Sequence, residues 1–124
     1  RTVGFSLLSA AMVEQVRPSA LAAWIAAGPA GAVPLVLDVR EPWEVALASI
    51  QPAGFELRAI PMSSVPAQLA ALDPQRPVAC LCHHGARSQN VALFLERSGF
   101  ERVANIAGGI NAWSGECDPA VPRY

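Results

Sequence analysis

The most informative stretch of this 124-residue chain is Val78-Ala-Cys-Leu-Cys-His-His-Gly-Ala-Arg87. Its first five residues, 78–82, are a continuous apolar run of strand length, which is typical of a strand buried on both faces of a sheet. Residues 87–98 then place apolar side chains on one face of a helix, and Gly99 supplies the stop. The sequence therefore predicts a buried strand, a tight loop and a helix in direct succession.

The segments on either side alternate in the same way. Further strands are predicted over residues 12–17, 34–39, 59–62 and 102–106. Helices are predicted after Pro18, after Glu41 with Pro42 in the first turn, after a capping Ser63 or Ser64, and from Gly108-Gly109 through Trp113. Residues 51–58 and 73–77 are predicted to be a loop and a turn. Strands that alternate with helices indicate an α/β fold with a mainly parallel sheet, in which ligands bind beyond the carboxyl ends of the strands.

Length and composition indicate one packed domain over residues 1–124. The chain is 52% hydrophobic and 15% charged, which excludes a disordered protein. A net charge of −1 without a basic run argues against non-specific nucleic-acid binding. All nine basic residues are Arg, so Schiff-base chemistry on Lys and a P-loop are both excluded.

Cysteine usage and hydropathy bear on the compartment. Three cysteines are an odd number for a secreted disulfide framework, so a reducing compartment, the cytoplasm, is expected. No apolar run reaches the roughly 18 residues that a membrane span needs. Residues 1–13 are mildly apolar, but Ser6 and Ser9 interrupt them and no Met precedes them, so a secretory signal is not the favoured interpretation.

The predicted loop after Cys82 suits a reactive sulfur. A tight loop that enters a helix turns successive backbone N–H groups inward, and the helix dipole adds positive potential at the same point. Gly85 supplies the backbone freedom to close the turn. We therefore expect Cys82 to be a solvent-accessible thiolate nucleophile, surrounded by the amides of residues 83–88.

Three segments of the chain together resemble the rhodanese-type sulfurtransferases. They are Cys82-x-x-Gly85-x-Arg87, Asp38-Val-Arg-Glu-Pro-Trp-Glu44 and Gly108-Gly-Ile-Asn-Ala-Trp113. They occur in the order and at the separations of that family, and the resemblance covers residues 12–113, leaving an irregular tail over 114–124. Residues 48–58 depart from the family pattern, because the usual Gly-His-Ile-Pro-Gly-Ala segment is absent and the stretch is longer.

The resemblance implies a rhodanese-like fold, with five mainly parallel strands and helices on both faces of the sheet. It implies a thiosulfate sulfurtransferase that carries a sulfane sulfur as a Cys82 persulfide, from a small donor to cyanide, a thiol or a protein acceptor. No metal, organic cofactor, nucleic acid or membrane is implied. The implied catalytic residues are Cys82, Arg87, Asp38 and Arg40, and the implied donor-binding residues are His83, His84, Gly85, Ala86, Arg87 and Ser88. Asp38 and Arg40 are expected to brace the loop through ionic hydrogen bonds, and partly cationic histidines are expected to favour an anionic donor.

Several alternatives accompany this interpretation. A cysteine-dependent phosphatase or arsenate reductase places five residues between Cys and Arg, whereas this loop has four. A non-catalytic adaptor or persulfide relay would share the same loop. Cys80 is interpreted as a small core residue and Cys117 as an exposed, incidental one, and the Cys/His spacing does not favour zinc. Trp43 and Trp113 are interpreted as helix-packing residues.

Overall fold

Five strands and five α-helices make up residues 13–124, which are the residues that the computed structural model describes. The strands are β1 (Glu14–Val16), β2 (Leu35–Asp38), β3 (Glu56–Ala59), β4 (Val78–Leu81) and β5 (Val103–Ile106). The helices are α1 (Leu21–Ala26), α2 (Pro42–Leu47), α3 (Val65–Gln68), α4 (Ala86–Arg97) and α5 (Gly109–Glu116). Met12, where the first predicted strand starts, lies outside the described residues. The same holds for residues 1–12 of the stretch considered as a secretory signal.

The sheet has the strand order β1-β5-β4-β2-β3, and each of its four pairings is parallel. This confirms the predicted α/β class and the five-stranded sheet. In the register of β2 with β4, Asp38 lies opposite Leu81. Because Cys82 follows Leu81, the Asp38 and Cys82 segments emerge side by side at the carboxyl edge, where parallel sheets bind ligands.

Two apolar layers cover the sheet, which confirms the prediction of helices on both faces. One layer packs α1 and α5 on the sheet through Leu21, Trp24, Ile110 and Trp113. The other packs α3 and α4 through Val65, Val91 and Leu95. The strands serve both layers because successive side chains alternate between the faces, so Ala79 and Leu81 face the first layer while Val78 and Cys80 face the second.

The third strand lies earlier than the sequence predicts. A strand over residues 59–62 is wrong, and β3 instead occupies part of the predicted loop. β3 is an edge strand that pairs only with β2, and its side chains are exposed or half-buried, so it lacks the apolar run that identifies an interior strand. Backbone bonds from Ile60 to Asp38 and from Met62 to Val39 continue its association with the β2 segment.

The helix after β3 also differs from the prediction. Ser64 makes no side-chain capping bond, because the 3₁₀ turn Met62–Ser64 already precedes the helix and places Ser64 in helical backbone geometry. α3 has four residues and passes directly into a second 3₁₀ turn, Leu69–Ala71. The apolar residues at helical spacing nevertheless face the core, since Val65 and Leu72 are both buried.

The C-terminal segment is more ordered than the irregular tail that the sequence predicts. α5 continues three residues beyond Trp113, to Glu116. Val121 is buried in the core, and its carbonyl accepts a 2.7 Å hydrogen bond from the Ser114 hydroxyl. The tail therefore packs against the domain. None of the helices in the described part of the chain has the length and apolar character that crossing a membrane requires.

Candidate active site around Cys82

Cys82 lies directly after β4 and beneath the N-terminus of α4, a helix of 12 residues. Its Sγ accepts a hydrogen bond from the Gly85 amide at 3.1 Å, and the Ser88 hydroxyl oxygen also lies 3.1 Å from it. Within residues 13–124 these two groups are the hydrogen-bonding contacts of Sγ, so the predicted ring of amides is only partly directed at the sulfur. Cys82 is also 1% exposed, which differs from the accessible thiol that the sequence predicts.

Gly85 makes the turn into α4 possible. It is the N-cap residue of the helix and has a φ of 113°, in the left-handed region that favours glycine. A Cβ atom at this position would lie 3.3 Å from the Gly108 amide nitrogen, so the loop also passes close to the start of α5. Both constraints bring the Gly85 amide to the sulfur.

Ser88 belongs to a buried polar chain that extends away from the sulfur. Its hydroxyl lies 2.6 Å from Asn105 Oδ1 as well as 3.1 Å from Sγ. Asn105, on β5, donates through Nδ2 to Gln15 Oε1 at 2.9 Å and to the Gly85 carbonyl at 3.2 Å. Asn105 is therefore a site residue that sequence reasoning missed, since nothing near it in the chain indicates that β5 would contact the loop.

Glu44 holds Arg87, the last residue of the loop motif. The two guanidinium nitrogens of Arg87 donate to the two carboxylate oxygens of Glu44, at 2.6 and 2.8 Å. The hydrogen bond from Arg87, more than any other contact, lowers the pKa of Glu44 to about 2. The same ion pair raises the pKa of Arg87. Glu44 ends the motif that begins at Asp38, but its contact with Arg87 was not predicted from the sequence.

Asp38 and Arg40 do not brace the loop directly, which corrects the prediction. Arg40 is 0% exposed and donates to Asp38 from Nε at 2.9 Å and from Nη2 at 2.7 Å. Its remaining bonds go to the carbonyls of Glu44 and Ala48 and to the Tyr124 hydroxyl. The pair is buried, so it is not a surface ion pair either. It holds α2 in place, and α2 in turn carries the Glu44 that reaches the loop.

His83 and His84 form a stack with the tail residue Tyr124. The His83 ring lies 3.9 Å from the His84 ring and 3.9 Å from the Tyr124 ring, with interplanar angles of 26° and 7°. Burial lowers the pKa of His83, which disfavours the cationic form expected from the sequence. Tyr124 was not predicted to contact the site, and no signal in the tail sequence indicated it.

α5 holds the opposite side of the loop. Its amides at Ile110 and Asn111 donate to the carbonyls of Cys82 and His83, at 2.9 and 3.1 Å. Gly109 lies at this contact with a φ of 60°, and a Cβ there would be 2.5 Å from the Cys82 carbonyl oxygen. The glycine pair of the third motif thus allows the backbone of α5 to lie close to the backbone of the loop.

The remaining cysteines and tryptophans fall outside the sulfur contacts. Cys80 is buried in the core as predicted, and burial raises the pKa of its thiol. Cys117 is exposed as predicted. Trp113 packs in the core, but Trp43 is 61% exposed, so the packing role predicted for Trp43 is wrong. Among residues 13–124 no three or more His, Cys, Asp or Glu side chains are grouped so that they could hold a metal ion.

Comparison with known proteins relates most of the chain to one family. A family model described as a rhodanese-like domain matches residues 18–116. A putative sulfurtransferase of Bacillus subtilis is 38% identical over 84 residues, which cover 68% of this chain and 77% of that protein. A rhodanese-like/PpiC domain-containing protein of Arabidopsis thaliana is 38% identical over 91 residues, covering 72% of this chain but only 30% of the plant protein.

The fold is also found among solved structures. The crystal structure of a rhodanese-related protein from Thermoplasma volcanium is 31% identical and has a TM-score of 0.68. The superposition covers 90% of this chain and 99% of that chain.

Proposed function

Because the chain belongs to the rhodanese-like domain family, we propose that it moves a sulfane sulfur from thiosulfate or a similar small donor to cyanide or a thiol, through a persulfide on Cys82. Relatives named as sulfurtransferases support sulfur transfer in general terms. The donor, the acceptor and the intermediate are part of the proposal.

One observation carries the proposal: the Cys82 sulfur lies at the N-terminus of α4, where it accepts the Gly85 amide and contacts the Ser88 hydroxyl. The amide stabilises negative charge on sulfur, and the helix dipole acts in the same direction. The thiolate is the nucleophilic form of cysteine, and these groups hold its negative charge during attack. The Cys80 sulfur, two residues earlier on the strand, lies in the apolar core, where burial raises the pKa of its thiol, whereas the Cys82 sulfur lies at the helix N-terminus.

The chemistry proceeds in two balanced displacements. The Cys82 thiolate attacks the outer sulfur of thiosulfate, so a new S–S bond forms at Sγ while the old S–S bond breaks and sulfite leaves with the bonding pair. The negative charge then lies on the terminal sulfur of the persulfide. Cyanide or a thiolate attacks that terminal sulfur, which departs as thiocyanate or a new persulfide, and the Cys82 thiolate is regenerated.

The loop residues hold the charge of the attacking thiolate. Gly85 donates to the Cys82 sulfur and Ser88 contacts it, and these groups are already in place when the S–S bond forms. Arg87 is paired with Glu44, so its role is to fix the end of the loop. Since Cys82 is 1% exposed, the loop has to open before a donor reaches Sγ, which favours a small donor.

Intact mass spectrometry tests the proposal. After incubation with thiosulfate, the wild-type chain should gain the mass of one sulfur atom and lose it again when cyanide is added. Cys82→Ser should gain nothing, because the hydroxyl oxygen does not attack the donor. Cys117→Ser is the matched control, since it removes an exposed cysteine outside the site and should load like the wild type.

Three results would speak against the proposal. Loading that survives Cys82→Ser places the sulfur on another residue. Hydrolysis of a phosphate ester without sulfur loading indicates the phosphatase alternative. A chain that loads sulfur but does not release it to cyanide or small thiols is a relay for a protein acceptor rather than the enzyme proposed.

A further inference from the structure

Tyr124, in the C-terminal tail, contacts two separate parts of the Cys82 site. Its ring lies parallel to the ring of His83, which directly follows Cys82, at a centroid distance of 3.9 Å. Its hydroxyl lies 2.7 Å from Glu44 Oε2, and the same carboxylate binds Arg87 at the other end of the loop. Tyr124 therefore lies outside the three motifs but contacts both ends of the loop. It contacts His83 at the start directly, and it reaches Arg87 at the end through Glu44.

The direction of the hydrogen bonds follows from Arg40. A guanidinium has donors only, so the Tyr124 oxygen accepts from Arg40 Nη1 at 3.1 Å. Arg40 is fully buried and already bound to Asp38, so this contact is fixed. The single phenolic proton then goes to Glu44, which acts as the acceptor.

The tail is anchored firmly enough to keep Tyr124 there. Val121 is buried, and its carbonyl is bound by the Ser114 hydroxyl of α5 at 2.7 Å. The Asp118 carboxylate accepts from the Ala120 amide at 3.0 Å, which stabilises the turn between them. The tyrosine ring is thus placed by the packed domain on one side and by Arg40 on the other.

We propose that Tyr124 is a positioning residue of the Cys82 site, whose hydroxyl fixes Glu44 and through it Arg87, and whose ring holds His83 at the start of the loop. The inference rests on the proposed sulfur transfer. Tyr124 touches neither Sγ nor a donor, so its effect on the reaction passes through the order of residues 83–87.

Two substitutions separate the ring from the hydroxyl. Tyr124→Phe keeps the stack on His83 and loses the hydroxyl's bonds to Glu44 and from Arg40, so KM for thiosulfate should rise at least about fivefold, the low end for two net hydrogen bonds. Tyr124→Leu loses both contacts and should raise KM about tenfold further, because aromatic stacking is lost as well. Arg123→Ala, at the exposed neighbouring position, is the control and should match the wild type.

A double substitution distinguishes positioning through Glu44 from general destabilisation. In a Glu44→Ala background, Tyr124→Phe should raise KM less than it does in the wild type, because the hydroxyl has lost the acceptor through which it acts and keeps only its bond from Arg40. Additive effects of the two changes would overturn the inference, as would a Tyr124→Phe enzyme with wild-type KM. Thermal unfolding of each variant shows whether the chain remains folded, and Tyr124→Phe is the variant expected to preserve the fold.

A spectroscopic readout works without sulfur chemistry. Tyr124 is the only tyrosine of the chain, so the ultraviolet titration of tyrosine reports on this residue alone. Burial raises the pKa of Tyr124, and Glu44 raises it further whereas Arg40 lowers it. Glu44→Gln should therefore move the titration to lower pH. An unmoved titration overturns the contact between Tyr124 and Glu44. If the titration moves as expected but the wild-type chain never forms a persulfide, only the proposed function is overturned.

Discussion

Gly109 shows how closely two backbones approach at this site. The start of α5 lies against the carbonyls of Cys82 and His83, and there is no room for a Cβ atom between them. Its φ of 60° is also in the left-handed region. The glycine thus fixes the distance between α5 and the reactive loop, although it supplies no chemical group itself.

Gly109→Ala should therefore damage the site more than an ordinary glycine substitution. We expect a loss of about 1–3 kcal/mol in unfolding free energy for the strained contact, together with slower sulfur loading. Guanidinium unfolding and mass spectrometry after exposure to thiosulfate measure the two effects. Gly99→Ala is the matched control, because Gly99 also has a positive φ but a Cβ there meets no atom within 4 Å. Equal losses for the two variants would contradict the role given to close approach.

The site residues that are neighbours in the chain were predictable from the sequence. Cys82, Arg87 and Ser88 could be grouped because a strand, a loop and a helix follow one another within a few residues. Glu44 and Asn105 could not be assigned contacts, because they reach the loop from 43 and 17 residues away only once the sheet is assembled. The residues that Glu44 and Asn105 contact depend on the order of the strands in the sheet, and that order cannot be read from the sequence.

The element that presents the loop, α4, is amphipathic, and its inner face fixes its position on the sheet. Leu95 is fully buried between the helix and the second core layer. Leu93, two residues earlier, is only partly buried. The helix can orient the Cys82 loop because this buried face anchors it.

Leu95→Ala should cost about 2–5 kcal/mol of unfolding free energy, the usual range when a buried leucine leaves a cavity. Leu93→Ala makes the same chemical change on the same helix at a partly exposed position, so its cost should be clearly smaller. Urea unfolding followed by circular dichroism measures both. A cost for Leu93→Ala that equals or exceeds that for Leu95→Ala would show that a different face of α4 packs on the sheet.

Elements with a strong local pattern were predictable, and those without it were not. β2 and β4 are interior strands with continuous apolar runs, and their predicted positions agree with the structure within about two residues. β3 is an edge strand of mixed polarity, and its position depends on pairing with β2 rather than on its own composition. Pairing is a property of the assembled sheet, so composition alone misplaced this strand.

For the whole molecule, the carboxyl edge of the sheet carries two ion pairs that link its elements. Arg40, paired with Asp38 of β2, binds the Glu44 carbonyl of α2, and Glu44 pairs with Arg87 of α4. Each pair includes a buried carboxylate, so neutralising one partner leaves the other without compensation. The stability of the chain should therefore respond to pH through the pair of Glu44 with Arg87.

Glu44 gives the pH response a definite direction. Its pKa is lowered from 4.5 to about 2, chiefly by the hydrogen bond from Arg87. A depressed carboxylate pKa contributes stability that is complete above pH 4.5 and disappears as the pH falls through about 2. The urea midpoint of the wild type should fall across this window more steeply than that of Glu44→Gln. Glu56→Gln is the control, because Glu56 is exposed and its ion pairs are screened by solvent. Parallel curves for wild type and Glu44→Gln would contradict the assignment.

The two amides of α5 that bind the carbonyls of Cys82 and His83 have a consequence for engineering. If the six-residue cysteine loop is grafted onto another parallel-sheet scaffold, the cysteine moves with it, but those two carbonyls lose their hydrogen-bond donors. A complete graft thus needs two segments that are distant in the sequence, the loop itself and the Gly108–Asn111 turn. Each has to follow one of two adjacent strands.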